Sequence, residues 1–168
     1  ESTIIDLTGE KPRLLRPGGL PLEALREVLG EVQVDKAVLA PLAEGEKPRA
    51  PGMKYRHYAP KAPVTVVTGD SHAAAEYIRQ RAGKSTGVIC FEEYRALFTD
   101  CTVESIGCAD DQAEQARRIF DALRAFDETD VTEIYAQCPG DEGLGLAIAN
   151  RLKKAAGFHV IEVRREEE

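Results

Sequence analysis

Four prolines within sixteen residues, at Pro48, Pro51, Pro60 and Pro63, divide this chain more sharply than any other feature. Proline fixes its own φ, lacks a backbone N–H and drives the residue before it out of the helical region. Neither a helix nor a ladder strand can therefore run through residues 47–63, and the stretch predicts an extended linker. Charge sets the same stretch apart. Residues 47–61 carry five basic and no acidic groups, whereas residues 1–46 sum to −4 and residues 62–168 to −8.

The chain changes rhythm across this boundary. Ahead of it, Ser2 to Leu7 and Arg13 to Arg16 are short β-type runs joined by a turn-rich stretch. Gly18-Gly19 breaks the chain, and Pro21 opens a helix that places Leu22, Leu25, Val28 and Leu29 on one face before Gly30 ends it. This β-β-α piece has too little apolar surface to stand alone. Behind the linker, strands and helices alternate. Strands are expected at 64–68, 86–91, 102–106, 133–137 and 160–163, with helices at 71–81 (capped by Ser71), 110–126 and 144–156, and a short one at 92–98. The predicted fold is α/β, a small Rossmann-like, mostly parallel open sheet with helices on both faces, preceded by the extended linker and the β-β-α remnant. Three units follow: residues 1–46, the linker 47–63, and an α/β domain at 64–168.

A chain of 168 residues with 43% hydrophobic and 30% charged residues builds a core without disulfides. Cys90, Cys101, Cys108 and Cys138 form no Cys-x-x-Cys pair and have no histidine at zinc spacing, so they read as free thiols and no metal site is predicted. No apolar run has the about 18–20 residues of a membrane span and no leader pattern opens the chain, which predicts a cytoplasmic protein without membrane contact. The opening Glu1-Ser2-Thr3-Ile4-Ile5-Asp6 reads as the middle of a strand, and the expectation is a piece of something longer.

Two segments are candidates for chemistry. Residues 140–147 join a strand to a helix, where backbone N–H groups can hold phosphate. Asp141 and Glu142 would repel it, however, and Ile148 stands where a third glycine belongs, so a tight turn is the preferred reading. In the following helix, Leu144, Ile148 and Leu152 describe a buried face, with Asn150, Arg151, Lys153 and Lys154 on its wet side. His72 and His159 stand alone and read as structural or surface groups. The linker differs in kind, because Lys54-Tyr55-Arg56-His57-Tyr58 packs three potential cations and two phenols into five residues. Such a group can bind phosphate or carboxylate oxygens, or stack on a base. A net charge of −7 argues against stable RNA binding and for a small anionic ligand. A plain solvated spacer remains open for the linker, as does a non-catalytic nucleotide- or partner-binding module acting near residues 140–145.

Residues 2–9, residues 12–19 and the linker run Pro51-Gly52-Met53-Lys54-Tyr55-Arg56-His57-Tyr58-Ala59-Pro60 resemble the two-domain form of L-threonylcarbamoyladenylate synthase. Residues 143–152 are similar to the last strand-to-helix segment of its C-terminal accessory domain. The resemblance implies that residues 1–46 are the end of the catalytic domain, 47–63 a linker over its active site, and 64–168 the accessory domain. The implied activity joins L-threonine, bicarbonate and ATP into threonylcarbamoyl-AMP and pyrophosphate, with Mg2+ accompanying ATP. A downstream transferase machinery would use the product to make threonylcarbamoyladenosine in tRNA. The family pattern places Ser2 and Arg16 at the nucleotide. Arg56 and His57 would be catalytic groups that orient oxyanions, with Lys54, Tyr55 and Tyr58 in a lid that seals the pocket. The family's upstream phosphate-binding positions lie outside these residues, so the chain alone is expected to be inactive. Residues 1–40, without their sheet partners, are expected to be disordered, mispaired or paired with another copy.

Overall fold

The computed structural model describes residues 1–51, 53 and 59–165. Its first unit is a three-stranded sheet. Strand β1 (Ile4–Asp6) pairs antiparallel with β2 (Arg13–Arg16), and β2 pairs parallel with β3 (Gln33–Val34). Helix α1 (Leu22–Leu29) connects β2 to β3, and the short α2 (Lys36–Leu39) follows. Residues 1–40 thus form a sheet of their own, contrary to expectation, because β3 supplies a third strand that periodicity could not reveal in two residues. The unit still leans on its neighbours. Leu14, Leu25 and Val32 pack with Leu146 from the second unit, and Leu15 and Ala37 with Met53 of the linker. Of the α1 stripe only Leu25 is buried, and Val28 is 85% exposed.

The second unit is a five-stranded, wholly parallel sheet in the order β6-β5-β7-β4-β8. Its strands are β4 (Val64–Gly69), β5 (Thr86–Cys90), β6 (Thr102–Ser105), β7 (Glu133–Gln137) and β8 (Val160–Val163). Side-chain alternation sorts the two faces. Val64, Val66, Ile89, Ile134 and Ala136 meet α4 (Gln112–Ala125) and α5 (Gly145–Ala155) through Ile119, Leu123, Ile148 and Leu152. Val67, Val88 and Cys90 meet α3 (Ser71–Arg81) through Ala74, Ala75 and Ile78. With helices on both faces, the central strands are buried on both sides, and every residue of β5 is buried. The expected α/β parallel sheet is therefore present. The cap of α3 is Asp70 rather than Ser71, its carboxylate accepting from the Ala73 N–H at 2.9 Å. Residues 92–97 form a 3₁₀ turn.

Gln137, fully buried at the carboxyl end of β7, ties neighbouring elements together. Its Oε1 accepts from the Phe91 N–H at 2.8 Å, and its Nε2 donates to the Ser71 carbonyl at 2.9 Å. Replacing it with Leu leaves the Phe91 N–H without its acceptor and the Ser71 carbonyl short of one donor, a loss of about 1–3 kcal/mol for each buried group left unsatisfied. Gln137→Leu is expected to lower unfolding free energy by about 2–4 kcal/mol in a denaturant titration. A loss below about 0.5 kcal/mol would mean that water replaces the amide.

Candidate functional site

The site begins with the register of β1 on β2. Ile4 lies opposite Arg16, and a bulge separates Ile4 from Ile5, so the residues ahead of β1 run back along the turn that follows β2. Gly18 permits that approach, because a Cβ there would fall on the backbone of Glu1, Ser2 and Thr3. The Thr3 hydroxyl holds the turn, donating to the Leu20 carbonyl at 2.9 Å and accepting from its N–H at 3.0 Å. Ser2 and Arg16, the two expected nucleotide residues, thereby meet. Arg16 Nε donates to the Ser2 carbonyl at 3.0 Å, and Nη1 donates to the Pro51 carbonyl at 3.1 Å. The contact uses the Ser2 main chain, and Arg16 also holds the start of the linker.

Lys54, Tyr55, Arg56, His57 and Tyr58 lie outside the described residues. The linker on either side of them, largely exposed, is anchored at a few points. Met53 is buried against Leu15 and Ala37. At the other end, the Lys61 N–H donates to Asp127 Oδ1 at 2.9 Å and the Pro63 carbonyl accepts from the Ile134 N–H at 2.9 Å. Arg49 pairs with Asp6 and lies 3.6 Å from Asp35, whose other oxygen caps α2. Arg13 and Lys47 join them in an open groove of about 400 Å³ beside Met53.

A second group of charges reaches the same corner from α5. Asn150, Arg151, Lys153 and Lys154 were expected on a wet face, but Asn150 and Lys154 are buried and Arg151 and Lys153 half-buried. The reason is that α5 packs against the first unit as well as the sheet. Asn150 Nδ2 donates to the Val38 carbonyl at 2.8 Å, and Arg151 pairs with Glu1 Oε2 at 2.5 Å. The same Glu1 oxygen stands 3.9 Å from Arg16 Nε. Burial pushes the Glu1 carboxyl pKa up, but the hydrogen bond and charge of Arg151, with the charge of Arg16, outweigh it and hold the group below its ordinary value. Burial drives Lys154 the other way, down to about 8, with Glu1 opposing and Arg16 and Arg151 adding to the fall. Sequence reasoning missed Glu1, Arg151 and Lys154. The available signal was Leu146, which shares a four-residue spacing with Asn150 and Lys154 and marks a second apolar-edged stripe.

The loop ahead of α5 behaves as a tight turn. Its Gly143 N–H donates to Glu23 Oε1 of α1 at 3.1 Å, and its Leu144 N–H to Gln112 Oε1 at 3.1 Å. A phosphate would have to displace a carboxylate there. His159 Nδ1 lies 3.0 Å from the Thr65 hydroxyl, and His72 stands near the Tyr94 ring. Burial pushes the Cys90 and Cys138 thiols up to about 12, so both stay protonated. Among the described residues, Glu93, Cys108 and Asp110 bring ligand atoms within 4.8 Å of one another, all three exposed. Glu93 raises the Cys108 pKa, which works against a thiolate. No helix of the described residues is long and apolar enough to cross a membrane.

Residues 20–157 match the family model of the threonylcarbamoyl-AMP synthase C-terminal domain. The chain belongs to that family. Among curated relatives, the threonylcarbamoyl-AMP synthase of Pyrococcus abyssi is 44% identical over 97% of this chain and 47% of its own length. That of Bacillus subtilis is 42% identical over 96% of this chain and 46% of its own. The chain spans about half the length of these relatives. The crystal structure of P. abyssi Sua5 complexed with L-threonine superposes with a TM-score of 0.77, at 42% identity, over 97% of this chain and 47% of that one.

Lys154 supplies a pH test. Below about pH 8 the folded and unfolded states both carry its proton, so the cost of burying the charge is fully present. Between about 8 and the ordinary 10.5 only the unfolded state keeps the proton, so stability rises with pH over that window. The Lys154 Cε resonance is expected to titrate near pH 8. The unfolding free energy should climb from pH 8 to 10 relative to a Lys154→Met variant, and a midpoint near 10.5 would contradict this burial.

Proposed function

We propose that this chain is the C-terminal half of an ATP-dependent L-threonylcarbamoyladenylate synthase. The intact enzyme makes threonylcarbamoyl-AMP and pyrophosphate from L-threonine, bicarbonate and ATP, and supplies a transferase machinery that modifies tRNA. The observation that carries this reading is identity of 42–44% over nearly the whole chain to synthases twice its length. The meeting of Ser2, Arg16 and the start of the linker supports it, because these come from separate stretches of the resemblance. In this reading residues 1–46 end the catalytic domain, 47–63 cross its active site, and 64–168 are the accessory domain. Exposed Leu7, Leu20, Val28 and Leu39 all belong to the first unit, consistent with a catalytic half that continues over it.

The chemistry joins the threonine amine and bicarbonate in a carbamate, a C–O bond of bicarbonate breaking as water leaves, and a carbamate carboxylate oxygen attacks the α-phosphorus of ATP. The bond to the β-phosphate oxygen breaks and pyrophosphate leaves. In this reading Arg16 offsets phosphate charge as it shifts onto the leaving group. Arg56 and His57 orient oxyanions, while Lys54, Tyr55 and Tyr58 close the site and keep water from a labile carbamate. Mg2+ would enter with ATP as part of the substrate and offset phosphate charge.

Pyrophosphate release from ATP, measured for this chain beside a version extended through its upstream coding region, tests the proposal. Activity is expected only in the extended protein and only with threonine and bicarbonate together. No release from either protein would overturn it and favour the non-catalytic module. In the extended protein, Arg16→Ala is expected to raise the KM for ATP about tenfold or more, as loss of a charge-assisted phosphate contact should.

A further inference from the structure

We infer that Arg151, on helix α5 of the accessory unit, is a positioning residue for Arg16 and acts by holding the Glu1 carboxylate away from it. The inference rests on the reading of Arg16 as the cation that meets the nucleotide's phosphates. One carboxylate oxygen, Glu1 Oε2, faces both guanidinium groups, and the distances are unequal: 2.5 Å to Arg151 and 3.9 Å to Arg16. The carboxylate sits with the nearer of the two, which is also its stronger partner.

Arg151 is that partner because it is fixed on both sides. Its guanidinium carbon stacks 3.7 Å over the Phe120 ring of α4, and α5 is pinned to the first unit one residue earlier by Asn150 and the Val38 carbonyl. The side chains are only 11% exposed for Arg151, 15% for Arg16 and 25% for Glu1, so solvent screens their interaction weakly. Lys154, one turn further along α5, adds positive potential at the same carboxylate.

Removing the Arg151 charge leaves Arg16 as the one guanidinium facing Glu1 among the described residues. The carboxylate then closes on Arg16, draws it from the Ser2 and Pro51 carbonyls, and neutralises the charge meant for phosphate. With Arg151 present, Arg16 keeps a loose counter-ion and two carbonyl acceptors that fix its plane. The accessory unit would thus hold a nucleotide residue of the catalytic unit in its open state without touching the nucleotide.

Arg151→Met is the variant of choice, since it keeps an apolar side chain over Phe120 while removing the charge and its N–H donors. In the protein extended through its upstream region, it is expected to raise the KM for ATP about tenfold with kcat within about twofold. Adding Glu1→Gln should bring the KM back within about threefold, because no carboxylate remains to capture Arg16. A purely structural role for Arg151 predicts no such rescue, so an unrescued KM, or an unchanged KM in Arg151→Met, would overturn the inference. Should Arg151→Met fail to fold, Glu1→Gln alone decides: the KM is expected to fall or hold, and a rise would overturn it. Arg16→Ala separates the two proposals. If it leaves the KM for ATP unchanged, the nucleotide role of Arg16 fails, and positioning is then read in this chain by NMR. There the Arg16 Nε–H resonance is expected to shift in Arg151→Met, as its acceptor changes from the Ser2 carbonyl to the Glu1 carboxylate, and to return with Glu1→Gln. A resonance that does not move would refute positioning by itself.

Discussion

Helix α5 has to satisfy two neighbours at once, and the arrangement of both units follows from that demand. Ile148, Leu152 and Ala155 belong to the core under the parallel sheet, while Leu146, Asn150 and Arg151 meet the first unit. A helix with two buried stripes cannot rotate to improve one contact without breaking the other. Its start is held in the same way, since Glu23 of α1 and Gln112 of α4 take the Gly143 and Leu144 amides. The carboxylate of Glu23 also complements the positive end of the helix dipole, and Arg151, Lys153 and Lys154 lie toward its negative end. The cations that reach the first unit are therefore where the helix itself favours them.

The linker obeys the same logic. A basic, proline-rich strap carries meaning only if its ends are fixed, because a free segment would spread its charge over a large volume. Burial of Met53 and the Arg16 bond to the Pro51 carbonyl hold the entrance, and Asp127 and β7 hold the exit. The excess of acid elsewhere in the chain answers the charge ahead of the entrance, where Arg49 meets Asp6 and Asp35.

How much of this was legible depended on length. Strands β4, β5, β7 and β8 could be read from apolar runs between turn residues, because each is at least four residues long and lies against helices. Strand β3 has two residues and α2 four, too few for any periodicity, and both exist because Asp35 caps α2 and β2 offers a free edge. The pairing of Ser2 with Arg16 was legible only through the family resemblance, since fourteen positions separate them and a bulge sets their approach. Arg151 and Lys154 were misread because a helical wheel tells apolar from polar but not water from a second protein surface.

That last error has a physical content. A polar face buried against another unit differs from a solvated one in what its charges cost, and the depressed Lys154 pKa records the cost. An apolar seam would have joined the two units at less expense, since buried ion pairs seldom out-stabilise well-packed hydrophobic residues. What the polar seam supplies instead is direction. Leu146 can tolerate a small slide, whereas the Asn150 bond to Val38 and the Arg151 pair with Glu1 fail once atoms move by an ångström or so. Because Glu1 also faces Arg16, the residue most exactingly placed by the seam adjoins the one assigned to the nucleotide. A second unit joined in this manner would act on the first through geometry, as the proposed role of Arg151 requires.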